Sequence, residues 1–168
     1  YADNGSSAIE VALKMSFHYW RNQGRSRKQR FITLSNSYHG ETLGALAVGH
    51  VELYREIYQP LLMDVMIAPS PYAYSRAAGE TAEDCALRAI TAMNELLAQH
   101  ADQTCAVIVE PLVQCAAGMR MHAPLYLQLL RETCDRHGVH LIRHEIAAVV
   151  PRSGPLFSCE QADITPPY

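Results

Sequence analysis

The run Cys105-Ala106-Val107-Ile108-Val109 is apolar at every position and is closed by Glu110-Pro111. A strand with one wet face alternates apolar and polar residues, so an unbroken run reads as a strand buried on both faces. Strands of that kind belong to parallel sheets with helices packed on either side. Arg30-Phe31-Ile32-Thr33-Leu34 and Val139-His140-Leu141-Ile142 read as two further strands. Helical patterns lie between them. Over residues 7–21 the apolar positions Ile9, Ala12, Leu13, Phe17 and Trp20 recur at spacings of three and four, with Gly24 just beyond. A helix of small residues is expected over 41–48, an amphipathic helix over 80–100, and another over 125–137 that Gly138 stops. Ala68-Pro69-Ser70-Pro71 reads as loop. This alternation predicts an α/β fold: a mostly parallel sheet flanked by helices.

Composition narrows the function classes. With 168 residues, 49% hydrophobic and 18% charged, the chain can bury a core as one soluble domain. A net charge of −3 supplies no basic field for nucleic acid or an anionic membrane. The longest apolar stretches are too short to span a bilayer, and no secretory leader is visible. Cys85, Cys105, Cys115, Cys134 and Cys159 show no CxxC spacing, so reduced thiols in a cytoplasmic protein are expected. Tyr1-Ala2-Asp3 reads as mid-protein sequence, and Ile164-Thr165-Pro166-Pro167-Tyr168 brings no closing element. The expectation is therefore a partial domain over 1–168, cut at both ends, whose pattern weakens from Val149 onward.

Open parallel sheets bind ligands beyond the carboxyl ends of their strands. The polar residues that collect there are those of 35–40, Glu110 and Gln114, and His144 with Glu145. Gly5-Ser6-Ser7 opens the first helix, whose unpaired N–H groups and positive dipole end can hold an anion such as phosphate. The same residues also make an ordinary N-cap. Ser37-Tyr38-His39-Gly40 sets two rings at a strand end, either to stack on a planar ligand or as half-buried packing. His137, His140 and His144 are spaced in a way that hints at a metal site. Gly138 separates helix from strand within the set, however, and residues four apart on a strand lie roughly 13 Å apart, too far to share one ion.

Taken in order, several motifs resemble the class III aminotransferases of the fold-type-I pyridoxal-phosphate (PLP) family. They are Tyr1-Ala2-Asp3-Asn4-Gly5-Ser6-Ser7-Ala8-Ile9-Glu10, Ser37-Tyr38-His39-Gly40-Glu41-Thr42, Val109-Glu110-Pro111-Leu112-Val113-Gln114, Gly118-Met119-Arg120-Met121 and the segment from Cys134 to Ile142. The resemblance implies that Gly5 and Ser6 bind the cofactor phosphate and that Tyr38 stacks on the pyridine ring. His39 and Gly40 would shape that wall, and Glu110 would face the cofactor region. The Gly-Met-Arg-Met run and long first helix are similar to the biotin-biosynthetic branch of the family. That implies S-adenosylmethionine as amino donor, 8-amino-7-oxononanoate as acceptor and a homodimer.

Three departures accompany the resemblance. The family carries an aspartate that pairs with the pyridine nitrogen, where this chain reads Arg143-His144-Glu145-Ile146. A neutral imidazole offers a hydrogen bond there but no negative charge. Glu145, as a strand neighbour, would face away unless the strand bulged. The glycine-rich stretch that follows is replaced by Val149-Val150-Pro151-Arg152-Ser153-Gly154. The Schiff-base lysine of the family would fall just past Tyr168. Lys14 and Lys28, the only lysines, match no such motif, and Lys28 sits in a basic loop expected to be solvated.

Overall fold

A computed structural model of the chain describes residues 2–146 together with Glu160 and Ala162. The altered 149–154 stretch and Cys159 lie outside the described residues. Four strands form one parallel sheet: β1 (Arg30–Leu34), β2 (Met66–Ala68), β3 (Thr104–Val109) and β6 (His140–Arg143), in the order β2-β1-β3-β6. A small antiparallel pair, β4 (Val113–Gln114) with β5 (Arg120–Met121), stands apart from it. The helices are α1 (Gly5–Asn22), α2 (Leu43–Ala47), α3 (Glu52–Arg55), α4 (Ala82–His100) and α5 (Pro124–His137).

The apolar run is buried at every position, as the absence of alternation requires. Its residues divide between two cores. Val107 and Val109 join Ile32 and Leu34 against α4 and α5, through residues such as Met93, Leu97, Tyr126 and Leu130. Ala106 and Ile108 join Phe31 on the opposite face against Ile9, Leu13 and Trp20 of α1 and Ala45 of α2. The result is a three-layer sandwich with β3 at its centre. Helix ends follow local chemistry. Thr81 and Asp84 form a reciprocal capping box at the start of α4. Gly138 closes α5 with φ of 60°, a left-handed conformation that glycine adopts without a Cβ clash.

Several expectations are corrected. The small-residue helix begins at Leu43 rather than Glu41, because the Glu10 carboxylate of α1 caps it from outside. That carboxylate accepts from the N–H groups of Gly44 at 2.7 Å and Ala45 at 3.2 Å. The short strand β2 was masked in the sequence by the adjoining Ala68-Pro69 loop signal.

The basic loop also differs from its sequence reading. Arg25 and Arg27 are exposed, but Lys28 is only 3% exposed. Its ammonium donates to the carbonyls of Ala101 at 2.7 Å, Thr104 at 2.9 Å and Gly138 at 3.0 Å, and lies 4.4 Å from the Trp20 ring centroid. Carbonyls at the ends of α4 and α5 and at the start of β3 thus converge on one cation. Lys28→Met is expected to lower unfolding stability by about 2–3 kcal/mol in a urea titration, since those carbonyls lose a charged donor. An unchanged midpoint would mean that burying the ammonium offsets its hydrogen bonds.

Candidate functional site

Strand order reverses between β1 and β3: the chain moves from β1 outward to β2, then returns to β3 and continues to β6. The carboxyl ends of β1, β3 and β6 therefore open onto one cleft at the switch point. Each supplies a loop. After β1, Ser37 Oγ lies 2.8 Å from Thr33 Oγ1, and Ser37 O accepts from His50 N at 2.7 Å. These bonds fix the turn that presents Tyr38, His39 and Gly40. After β3, the Glu110 carboxylate accepts from Tyr38 N at 2.8 Å and Cys115 N at 3.3 Å, tying two loops together. After β6, His144 N donates to Val109 O at 2.8 Å. His144 stands just past the strand end, so the strand-face argument about Glu145 does not apply.

The fourth wall is the start of α1. Asn4, in extended conformation, caps the helix by accepting from Ser7 N at 2.9 Å. Ser6 Oγ accepts from Glu41 N at 3.2 Å, which seats the β1 loop on the first turn of the helix. Gly40 makes the approach possible. Its φ is +122°, and a Cβ there would lie 3.0 Å from Ser6 Cα and closer still to the Ser6 hydroxyl. At Gly5 a Cβ would strike the Ile146 side chain and lie 3.5 Å from His144 Nε2.

All seven residues singled out in the sequence, Gly5, Ser6, Tyr38, His39, Gly40, Glu110 and His144, line one pocket of about 550 Å³. Asn4, Cys115, Ala116 and Ile146 complete it. The last three carried no chemical signal in the sequence; Cys115 and Ala116 enter because the turn after β4 doubles back. Gln114, grouped with the site by position, does other work. Its amide donates to Ser35 O at 2.9 Å and accepts from Ser70 Oγ at 2.6 Å, bracing the loops after β1 and β2.

The polar residues inside are weakly charged. Burial holds the His39 imidazole well below its usual range, helped by the facing His144. His144 is also lowered by burial, only partly offset by the Tyr38 main chain. The two rings meet through Nδ1 atoms 3.1 Å apart, and both Nε2 atoms are buried without a partner among the described residues. His137 bonds Asn94, and His140 lies 2.9 Å from Ser16 Oγ and stacks on Trp20. The three spaced histidines thus serve three different surroundings. Burial pushes Glu110 up to about 7 despite its two backbone donors.

The sign of that shift sets a pH dependence. Folded Glu110 keeps its proton to about pH 7, whereas an unfolded glutamate loses it near 4.5. Between those values folded Glu110 holds a proton that the unfolded residue has lost, so its own contribution to stability falls as pH rises and levels off above 7. Histidines lowered by burial, such as His39, His122 and His144, contribute with the opposite sign. The Glu110 contribution is on the order of 3 kcal/mol, so the difference in stability between the parent and Glu110→Gln should change by that amount in urea titrations from pH 4.5 to 8. A difference that does not vary with pH would show that Glu110 titrates alike in the folded and unfolded states.

A cleft of this sort, at the reversal point of a parallel sheet and beside a helix N-terminus, is where α/β domains commonly bind small ligands, phosphorylated ones among them. The family model for class-III aminotransferases matches residues 1–167, and the chain belongs to that family. It is 40% identical over 167 residues to the adenosylmethionine-8-amino-7-oxononanoate aminotransferase of Geobacter sulfurreducens, covering 99% of this chain and 37% of that protein. The Helicobacter pylori protein of the same name is 43% identical over 170 residues, covering 100% of the chain and 37% of its own length. Among solved structures, a PLP-bound amine transaminase from an uncultivated Pseudomonas species superposes with a TM-score of 0.91 at 32% identity, covering 98% of this chain and 37% of that one. The Methanocaldococcus jannaschii adenosylmethionine-8-amino-7-oxononanoate aminotransferase gives 0.82 at 29% identity, covering 95% and 33%. The chain thus spans about a third of the length of the proteins it matches.

Proposed function

We propose that this chain is the cofactor-binding part of the large domain of a PLP-dependent aminotransferase, spanning 1–168 of that partial domain. The reading rests on one observation: seven residues from four chain segments meet in a single pocket at the switch point. Gly5 and Ser6 would hold the phosphate at the helix start, where close approach needs glycine and the dipole favours an anion. Tyr38 is partly exposed on the pocket wall with its hydroxyl 3.0 Å from Glu41, so its ring face is available to stack on a pyridine. His39 and Gly40 form the wall behind it, Glu110 clamps the loops, and His144 would face the ring nitrogen. PLP, when bound, supplies the electron sink for chemistry at the substrate carbon next to the amino group.

Amino-group transfer from S-adenosylmethionine to 8-amino-7-oxononanoate, in a cytoplasmic homodimer, is the whole-protein activity we assign. The names of the relatives support the activity, whereas the homodimer and the location rest on the resemblance to the family. No helix among the described residues is long and apolar enough to cross a membrane. The proton-moving lysine must come from outside the pocket described. Lys14 is on the exposed face of α1 and Lys28 is committed to three carbonyls, and neither lines the site. A second reading, an inactive relative that keeps the cofactor or dimerisation surface, is favoured by His144 and by the altered sequence of 149–154.

One assay separates them. The chain replaces the matching segment of the Geobacter enzyme, and the chimera is assayed for 7,8-diaminononanoate. Turnover in the His144→Asp chimera, with the unmodified chimera slower by about tenfold or more, is the expected result. Turnover in neither would sink the active reading. This chain by itself is expected to give no turnover.

A further inference from the structure

The hydrogens on the His144 imidazole decide what it can offer a ligand. Tyr38 N is committed to Glu110, so the main-chain group of Tyr38 that hydrogen-bonds His144 is its carbonyl, an acceptor. Nε2 has no partner among the described residues, so Nδ1 carries the hydrogen that this carbonyl accepts. His39 Nδ1 lies 3.1 Å from His144 Nδ1 and faces it with a lone pair when its own hydrogen is on Nε2. His144 Nε2 is then a bare acceptor. It is buried, lies 3.5 Å from the position a Cβ on Gly5 would take, and belongs to a residue of the pocket lining. A buried acceptor without a donor points to a missing ligand atom.

That atom must bring its own hydrogen. Burial disfavours a second proton on His144 and on His39, so neither ring satisfies itself by becoming cationic. The other titratable groups of the lining are Tyr38 on the loop after β1, and Glu110 and Cys115 on the loop after β3. None of them bonds Nε2, and the first turn of α1 contributes no acidic residue. Glu110 accepts from Tyr38 N and Cys115 N, and in its ionised form it is an anion that favours a cation in the pocket. A protonated aromatic nitrogen supplies both the N–H and the positive charge. An unprotonated one would set two lone pairs against each other.

We propose that His144 is a neutral acceptor for a pyridinium: Tyr38 O holds the imidazole hydrogen on Nδ1, and the bare Nε2 accepts from the protonated ring nitrogen of the bound pyridine phosphate. The proposal rests on the cofactor reading above and deepens it with a separate claim about tautomer and protonation. A lone pair at position 144 does there what a carboxylate would do by charge. The pocket therefore keeps the ligand ring protonated, with a weaker hold on the proton than an aspartate would give.

Two NMR measurements on the purified chain test it. Without ligand, in the chain labelled with 15N-histidine, the His144 signals should show Nδ1–H and a bare Nε2. An Nε2–H form would overturn the proposal and leave the cofactor reading standing. Pyridoxamine 5′-phosphate labelled with 15N in the ring is then added, and its ring nitrogen is followed as pH is raised. The bound ring should be protonated at neutral pH and should keep its proton to a pH about one unit higher than in His144→Leu, a tenfold change in acidity. His144→Leu should also bind the probe about tenfold more weakly by calorimetry. His144→Asp should hold the ring proton more firmly than the parent. An unprotonated ring in the parent, or a ring that titrates alike in the parent, His144→Leu and His144→Asp, would overturn the proposal alone. Absence of any binding to the parent would overturn both it and the cofactor reading.

Discussion

Ser6→Asp is expected to abolish binding of pyridoxamine 5′-phosphate while leaving the chain folded. The first turn of α1 contains no acidic residue, and a carboxylate there interacts favourably with the helix dipole by about 0.3–1 kcal/mol. The same carboxylate would stand where the phosphate is to be held. Two like charges 4 Å apart repel by roughly 4 kcal/mol at the effective dielectric of a protein surface. That corresponds to a loss of several hundredfold in affinity. Calorimetry and a thermal melt on one sample read both effects. Lost binding with a preserved melt identifies an anion site, whereas a collapsed melt would show that Ser6 acts mainly through its bond to Glu41 N.

The largest structural effect is expected at Gly40. With φ of +122° it occupies a backbone region that side-chain-bearing residues rarely adopt, and the missing Cβ is what lets the β1 loop touch Ser6. Gly40→Ala should cost about 2–4 kcal/mol and lower the melting temperature by roughly 10 °C. Pyridoxamine 5′-phosphate binding should fall at least tenfold, because His39 and Tyr38 ride on the same loop. A melt within a degree or two of the parent would mean that the loop and helix can separate without loss.

The layered architecture was readable because β3 is apolar throughout and the amphipathic helices carry clear period and stop signals. Gly138 stopped α5 where expected, and the strand 30–34 was found with its own boundaries. What escaped had physical causes. β2 is three residues long beside a proline-rich loop, too short for any period to register. α2 starts late because its cap is Glu10, a residue more than thirty positions earlier in the chain, and such a cap leaves no local trace. Lys28 looked like part of a wet basic loop because its three carbonyl partners come from distant segments.

The site was more readable than the contacts within it. Motif resemblance named seven residues, and they converge on one pocket. The pairing of His39 with His144 was not visible in the sequence, since it joins loops 105 positions apart. Glu110 is the other lesson. Its place at the strand end was evident, but its role as a clamp on Tyr38 N and Cys115 N depends on tertiary geometry.

A phosphate-anchored pyridine site must discriminate sharply between a phosphorylated ligand and the same ligand without its phosphate. The purified chain is titrated with pyridoxamine 5′-phosphate and, separately, with pyridoxamine, under identical buffer and salt. The phosphorylated compound is expected to bind, and its dephosphorylated counterpart to bind at least a hundredfold more weakly, a difference of about 2.7 kcal/mol or more. Equal affinity for the two, or no binding of either, would contradict it.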